Sequence, residues 1–176
     1  MNFVLLGDDP VCLPLLRAIA HAPEHDLALA AHASDLWTEV AASFPHARQT
    51  TDWQALLIEP GVTAVIVAGH SPVVLEGAKS LARAGIALAV FPDVRQTSSF
   101  VYELWPIEDE GRTKLIPLWR HAIHDVVGTF REQSHPKVGP LQFLQYERTL
   151  PQGPDGRLSL SEFESSLLDD ADLLRQ

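Results

Sequence analysis

Residues 63–91 read TAVIVAGHSPVVLEGAKSLARAGIALAVF, and three parts of that run define an architecture. Thr63 to Ala68 is apolar, β-branched in its centre and uninterrupted, as expected of a strand covered on both faces. Gly69-His70 forms a turn. Ser71-Pro72 then opens a helix, with Val73, Val74, Ala78, Leu81 and Ala82 on its apolar side and Gly85 as its stop. Ile86 to Phe91 is a second apolar run. A strand, a helix of about three turns and another buried strand form a parallel crossover unit.

The same rhythm extends in both directions. Toward the amino terminus, Asn2 to Leu6 is an apolar strand ending at Gly7, and Asp8-Asp9-Pro10 is a helix start. Leu13, Leu15, Leu16, Ile19 and Ala20 follow at helical spacing. Leu27 to Ala31 reads as a strand, Asp35 to Phe44 as a helix, and Asp52 to Leu57 as a short capped helix before a turn at Gly61. Toward the carboxyl terminus, Asp93 opens a helix that is expected to run to about Trp105, where Pro106 disturbs it. Lys114 to Leu118 reads as one more strand. Strand and helix alternate five or six times with no internal repeat. The expected fold class is therefore α/β, a doubly wound parallel sheet with helices on both faces.

The pattern changes near residue 120. His121 to Gln133 reads as helix, Leu141 to Tyr146 as strand, and residues 151–156 (PQGPDG) as a turn-rich break before an acidic helix from Ser161 to Gln176. One strand and one or two helices cannot close a core alone. The expected division is 1–120 as the sheet domain and 121–176 as an incomplete second-domain segment, a short α+β remnant.

Composition narrows the partners. The 176 residues are 46% hydrophobic and 20% charged, and 13 Lys and Arg against 23 Asp and Glu leave a net charge of −10. No basic cluster is present, so nucleic acid and anionic membrane surfaces are excluded as partners. No apolar run is long enough for a spanning helix, and the first ten residues lack a basic leader. The single cysteine, Cys12, cannot form an internal disulfide, and the chain reads as cytoplasmic.

Motifs along residues 51–93 resemble the Gfo/Idh/MocA family of oxidoreductases, the glucose–fructose oxidoreductase and inositol dehydrogenase relatives. In that family a D-W-x-x-L-L helix precedes a V-D-A-V-I-V-A-T-P strand. A helix with H-x-E-x-A and A-L-x-A-G-K-H-V follows, then a strand ending in E-K-P. Asp52-Trp53, Val62 to Ala68, Glu76, Ala78, Leu81, Ala84-Gly85 and the strand to Val90 match that order. Val138-Gly139-Pro140-Leu141 resembles the family's entry to its second domain, and Leu168 to Leu174 resembles its v-H-d-i-D-l-l helix. The resemblance implies a Rossmann-like dinucleotide-binding domain, NAD or NADP as cofactor, and hydride transfer. It also implies that the chain holds only the beginning of the family's large second domain. An unfinished domain of this kind points to self-association as a homo-oligomer or to pairing with a full-length relative.

The residues expected for that chemistry are replaced. The glycine-rich pattern G-x-G-x-x-G/A lets the backbone approach a pyrophosphate. It appears here as Gly7-Asp8-Asp9-Pro10-Val11-Cys12, with Asp9 and Cys12 at the second and third glycine positions. One pair of unit charges at about 4 Å repels by roughly 4 kcal/mol at an effective dielectric near 20, on the order of a thousandfold in affinity. Either Asp8 or Asp9 caps the helix and occupies the anion place itself, or a phosphate site survives with altered geometry. After the second strand, where the family places a ribose-binding acid, stand His32, Ala33 and Ser34. His32 either touches a ribose or phosphate or carries no ligand.

The lysine of E-K-P, which by resemblance assists proton transfer, falls within Phe91-Pro92-Asp93, and proline moves no proton. The Asp and His expected on the second-domain helix fall at Ser165 and Asp169. The resulting expectation is an oxidoreductase by descent with no retained catalytic residue. The other reading is a non-catalytic sensor, scaffold or assembly subunit. The cofactor-binding candidates are Gly7, Asp8, Asp9, Pro10, Val11, Cys12, His32, Ala68, Gly69, His70 and Phe91. His70 is the first polar side chain to test for a small-molecule ligand, because it lies at the crevice of such sheets. Cys12 is either a thiol activated by a helix start or a buried structural residue. His121, His124 and Asp125 have helix-neighbour spacing but lack the further ligands a closed metal site needs. Trp53, Trp105 and Trp119 are expected to be packing residues.

Overall fold

The computed structural model describes residues 1–69, 71–91 and 97–118, with the side chains of residues 97–102 left out of the description. The chain divides into two compact units, Met1–Leu118 and Trp119–Gln176. The expected helices and strand beyond residue 120, the His121 cluster and Trp119 lie outside the described residues, as do His70, Pro92 and Asp93.

Among the described residues of Met1–Leu118, six strands form one sheet: β1 (Asn2–Leu6), β2 (Asp26–Ala31), β3 (Arg48–Thr50), β4 (Val62–Val67), β5 (Ala87–Val90) and β6 (Leu115–Pro117). Their spatial order is β3-β2-β1-β4-β5-β6, and every pairing is parallel. The helices are α1 (Leu13–His21), α2 (Trp37–Ser43), α3 (Pro72–Arg83) and α4 (Thr97–Asp109). Pro10–Cys12 and Trp53–Leu57 are 3-10 turns.

The order explains the two faces. The chain moves from β1 to β2 in one direction and from β4 to β5 in the other. Right-handed crossovers then place α1 and α2 on one face of the sheet and α3 and α4 on the opposite one. Under α3 and α4, Val4, Leu6, Leu29, Ala31, Val65, Val67 and Leu88 form one buried layer with Val74, Ala78, Leu81, Leu104 and Ile107. The strands between them carry the alternate residues Leu5, Ala30 and Ile66, which are also buried. Burial on both faces is why these strands lack the alternating pattern of a half-exposed sheet.

Local chemistry sets the ends of α3. Ser71 Oγ accepts the Val74 N–H at 3.3 Å, Pro72 occupies the first turn, and Gly85 takes φ +83° after the last turn. Gly77 lets α3 pack closely: a Cβ there would lie 3.1 Å from both Leu6 Cδ2 and Trp53 Cγ. Lys79 reaches across to the Glu103 carboxylate on α4, and that bond, with the charge of Glu103 and Glu76, raises the ammonium pKa.

Two expectations need correction, and one strand has no counterpart in the sequence reading. β3 carries only Arg48, Gln49 and Thr50, an edge strand with no apolar signal. Pro106 does not end α4, which continues to Asp109 with the Glu110 N–H bonded to the Pro106 carbonyl at 3.0 Å. Burial of Leu104 and Ile107, three residues apart on one face, offsets the missing amide. Trp105 is 61% exposed and so is not a packing residue, because its neighbours take the buried face. Trp53 does pack against the core.

Candidate functional site

The strand order reverses between β1 and β4, and the ends of those strands form the crevice where sheets of this type bind ligands. Gly7 follows β1 with φ +108°, and Gly69 follows β4 with φ +141°. The two crossovers touch. A Cβ on Gly7 would lie 2.0 Å from the Ala68 carbonyl oxygen, and one on Gly69 would lie 3.7 Å from the amide nitrogen and Oδ1 of Asp8. Backbone bonds fix this approach: Gly7 N–H to the Ala31 carbonyl at 2.9 Å, Ala68 N–H to Leu6 at 2.9 Å, and Asp9 N–H to Ala68 at 3.1 Å. β1, β2 and β4 are thus tied together at the mouth of the crevice.

Of the two acids, Asp9 is the cap. Its Oδ1 accepts the Val11 N–H at 2.9 Å, and its carbonyl accepts the Cys12 N–H at 3.3 Å. Pro10 has no amide. The first turn is therefore a tight 3-10 turn closed on Asp9, and α1 begins only at Leu13 with no side-chain cap of its own. Asp8 is exposed at the rim.

Cys12 is fully buried beneath this turn. Removal from water pushes its thiol up to about 12, and the nearby Asp9 carboxylate acts in the same direction. The arrangement matches the structural reading of Cys12, since a nucleophile needs thiolate at ordinary pH.

His32 follows β2 and lies in the left-handed region at φ +53°. Its N–H donates to the Thr50 carbonyl at 3.1 Å, so the backbone there joins the edge strand β3 to the crevice. Thr50 carries no signal in the sequence pattern, because β3 is polar and pairs on one side only. Phe91 is buried at the end of β5, and its N–H donates to the Val67 carbonyl at 3.2 Å. The structure thus brings Gly7, Asp8, Asp9, Ala68 and Gly69 together at one crossover. Val11 and Cys12 lie in the turn that closes it, and His32 and Phe91 stand at the ends of the strands on either side. Among the described residues no group of three or more His, Cys, Asp or Glu side chains is placed to hold a metal ion. No helix among them is long and apolar enough to cross a membrane.

No family model matches the chain, and no characterised protein matches it by sequence. Solved structures do match. Biliverdin reductase from Synechocystis sp. PCC 6803, in complex with biliverdin and NADP+, superposes with TM-score 0.58 at 16% identity over 75% of this chain and 42% of its own. The WlbA dehydrogenase from Bordetella pertussis, in complex with NADH and UDP-GlcNAcA, gives 0.56 at 19% over 76% and 40%. A Gfo/Idh/MocA family oxidoreductase from Vibrio cholerae gives 0.57 at 19% over 69% and 39%. These are oxidoreductases of the type that the sequence motifs resemble. At such identities the likeness is one of fold, a six-stranded parallel α/β sheet. The chain spans about two-fifths of the length of the structures it matches.

Proposed function

We propose that this chain is the dinucleotide-domain half of a Gfo/Idh/MocA-type oxidoreductase, descended from enzymes that use NAD or NADP and impaired in catalysis. The observation that carries the reading is the strand order β3-β2-β1-β4-β5-β6 with the Gly7 and Gly69 crossovers in contact at its reversal. That arrangement builds the crevice across which a dinucleotide lies in this fold. The impairment is read from residue chemistry. Where a proton-transferring lysine is expected after β5, the sequence has Phe91-Pro92-Asp93, and none of these is a basic donor.

The test uses the full chain. NADH and NADPH at millimolar concentration are added with a panel of ketoses and keto-sugars, and nicotinamide absorbance is followed. In parallel, amide shifts at the ends of β1, β2 and β4 are mapped against adenosine. The reading expects adenosine to perturb those strand ends, with no sustained hydride transfer. Sustained turnover overturns the impairment, and an adenosine response absent from the strand ends overturns the placement of the crevice.

A further inference from the structure

We infer that the β1 crossover is closed to a diphosphate by the chain's own Asp9, whose carboxylate holds the place a phosphate oxygen would take. The inference rests on the reading of this domain as a dinucleotide fold. It concerns the group that fold implies and that these residues do not fit.

A loop that cradles a diphosphate must offer amides, space and no competing negative charge. Residues 7–12 offer little of the three. The amides of Gly7, Asp9, Val11 and Cys12 are taken by the Ala31 carbonyl, the Ala68 carbonyl, Asp9 Oδ1 and the Asp9 carbonyl, and Pro10 has none. Five of the six positions therefore have no amide to give. Space is also used up. The second glycine position carries the half-buried Asp9, and the third carries Cys12, whose side chain is fully enclosed. Charge is the third obstacle, because Asp8 and Asp9 would both stand next to an incoming dianion. All three features exclude the same ligand, and Asp9 contributes to each of them.

Charge and amide occupancy can be separated. Asp9→Asn removes the charge and keeps a side-chain oxygen able to cap Val11, whereas Asp9→Gly removes both. ADP is the probe for the diphosphate, and adenosine is the control that shares the crevice without phosphates. Affinities come from amide-shift titration of the full chain, with far-UV circular dichroism and a urea midpoint for each variant. Asp9→Gly is expected to tighten ADP by at least about tenfold, with adenosine unchanged, and Asp9→Asn to gain less. An unchanged ADP affinity in a natively folded Asp9→Gly variant overturns the inference, and so do equal gains in the two variants. If Asp9→Gly does not fold, Asp9→Asn decides alone: no gain in ADP affinity overturns the closure. Loss of the adenosine response in every variant would instead overturn the dinucleotide-fold reading, so the two failures are distinguishable.

Discussion

Replacing Gly7 with alanine tests the crossover directly. The new Cβ would stand 2.0 Å from the Ala68 carbonyl oxygen and 2.7 Å from its carbon, both backbone atoms. Ordinary contact begins at 3.4 Å, so the Ala68 carbonyl must retreat by more than 1 Å. That carbonyl accepts the Asp9 N–H, and the Ala68 N–H is bonded to Leu6, so a retreat strains two backbone bonds at the centre of the sheet. Each is worth about 1 kcal/mol net, and more if a buried group is left unpaired. Holding an L-residue at positive φ adds about 1–2 kcal/mol. Together the substitution costs about 3–5 kcal/mol, a large part of the ~5–15 kcal/mol expected for a domain. At roughly 4 °C per kcal/mol, the melting midpoint falls by about 12–20 °C. Urea unfolding of the full chain, followed by tryptophan emission and far-UV circular dichroism, measures the loss. Gly111→Ala is the internal control: φ there is +67° and nothing lies within 4 Å of the added carbon. That control is expected to cost only the backbone share, about 1–2 kcal/mol. Equal losses at the two positions would refute the argument, because the contact with Ala68 would then contribute nothing.

Other consequences can be checked on the same preparation. Cys12 is expected to resist a thiol reagent at about pH 8 in the native state and to react once urea unfolds the chain. Its thiol is raised from 9.0 to about 12 in the fold, so below 9 both states hold the proton, and stability falls as pH rises from 9 toward 12. A urea midpoint that is flat across that range for wild type and parallel to that of Cys12→Ser would contradict this. His32 sits at φ +53°, so His32→Val is expected to destabilise by more than about 1 kcal/mol while His32→Gly does not destabilise. A β-branched side chain tolerated there would show that the left-handed backbone is not required. Ser71→Ala removes the oxygen that caps Val74 and is expected to cost about 1 kcal/mol, with Ser71→Asp retaining the cap; a loss in both variants would point to something other than the cap.

The unit from β4 to β5 was legible because several local signals agreed. Its strands are buried on both faces and so uniformly apolar, and a Ser-Pro start and a Gly stop bracket α3. The same holds for β1, whose apolar run ends at a glycine with positive φ. β3 was not legible, since three polar residues on an edge carry neither period nor apolar content and acquire their strand form from β2. Pro106 misled for the opposite reason: a local rule was overridden by the burial of Leu104 and Ile107, which lies in the packing and not in the neighbouring letters. At the site, sequence placed two acids in the loop without distinguishing them. The choice of Asp9 as the cap depends on a 2.9 Å bond to Val11, which only the fold of the turn decides. Whether Cys12 was a reactive or a structural thiol was also a matter of burial.

Gly7 packs against the carbonyl of Ala68, a contact between two stretches of this chain's own backbone. The scaffold itself demands that letter, for reasons as steric as those of a keystone. A pattern search that credits the first glycine as a mark of nucleotide use is reading architecture, and the diagnostic weight belongs to the two places after it, where this chain carries an acid and a thiol.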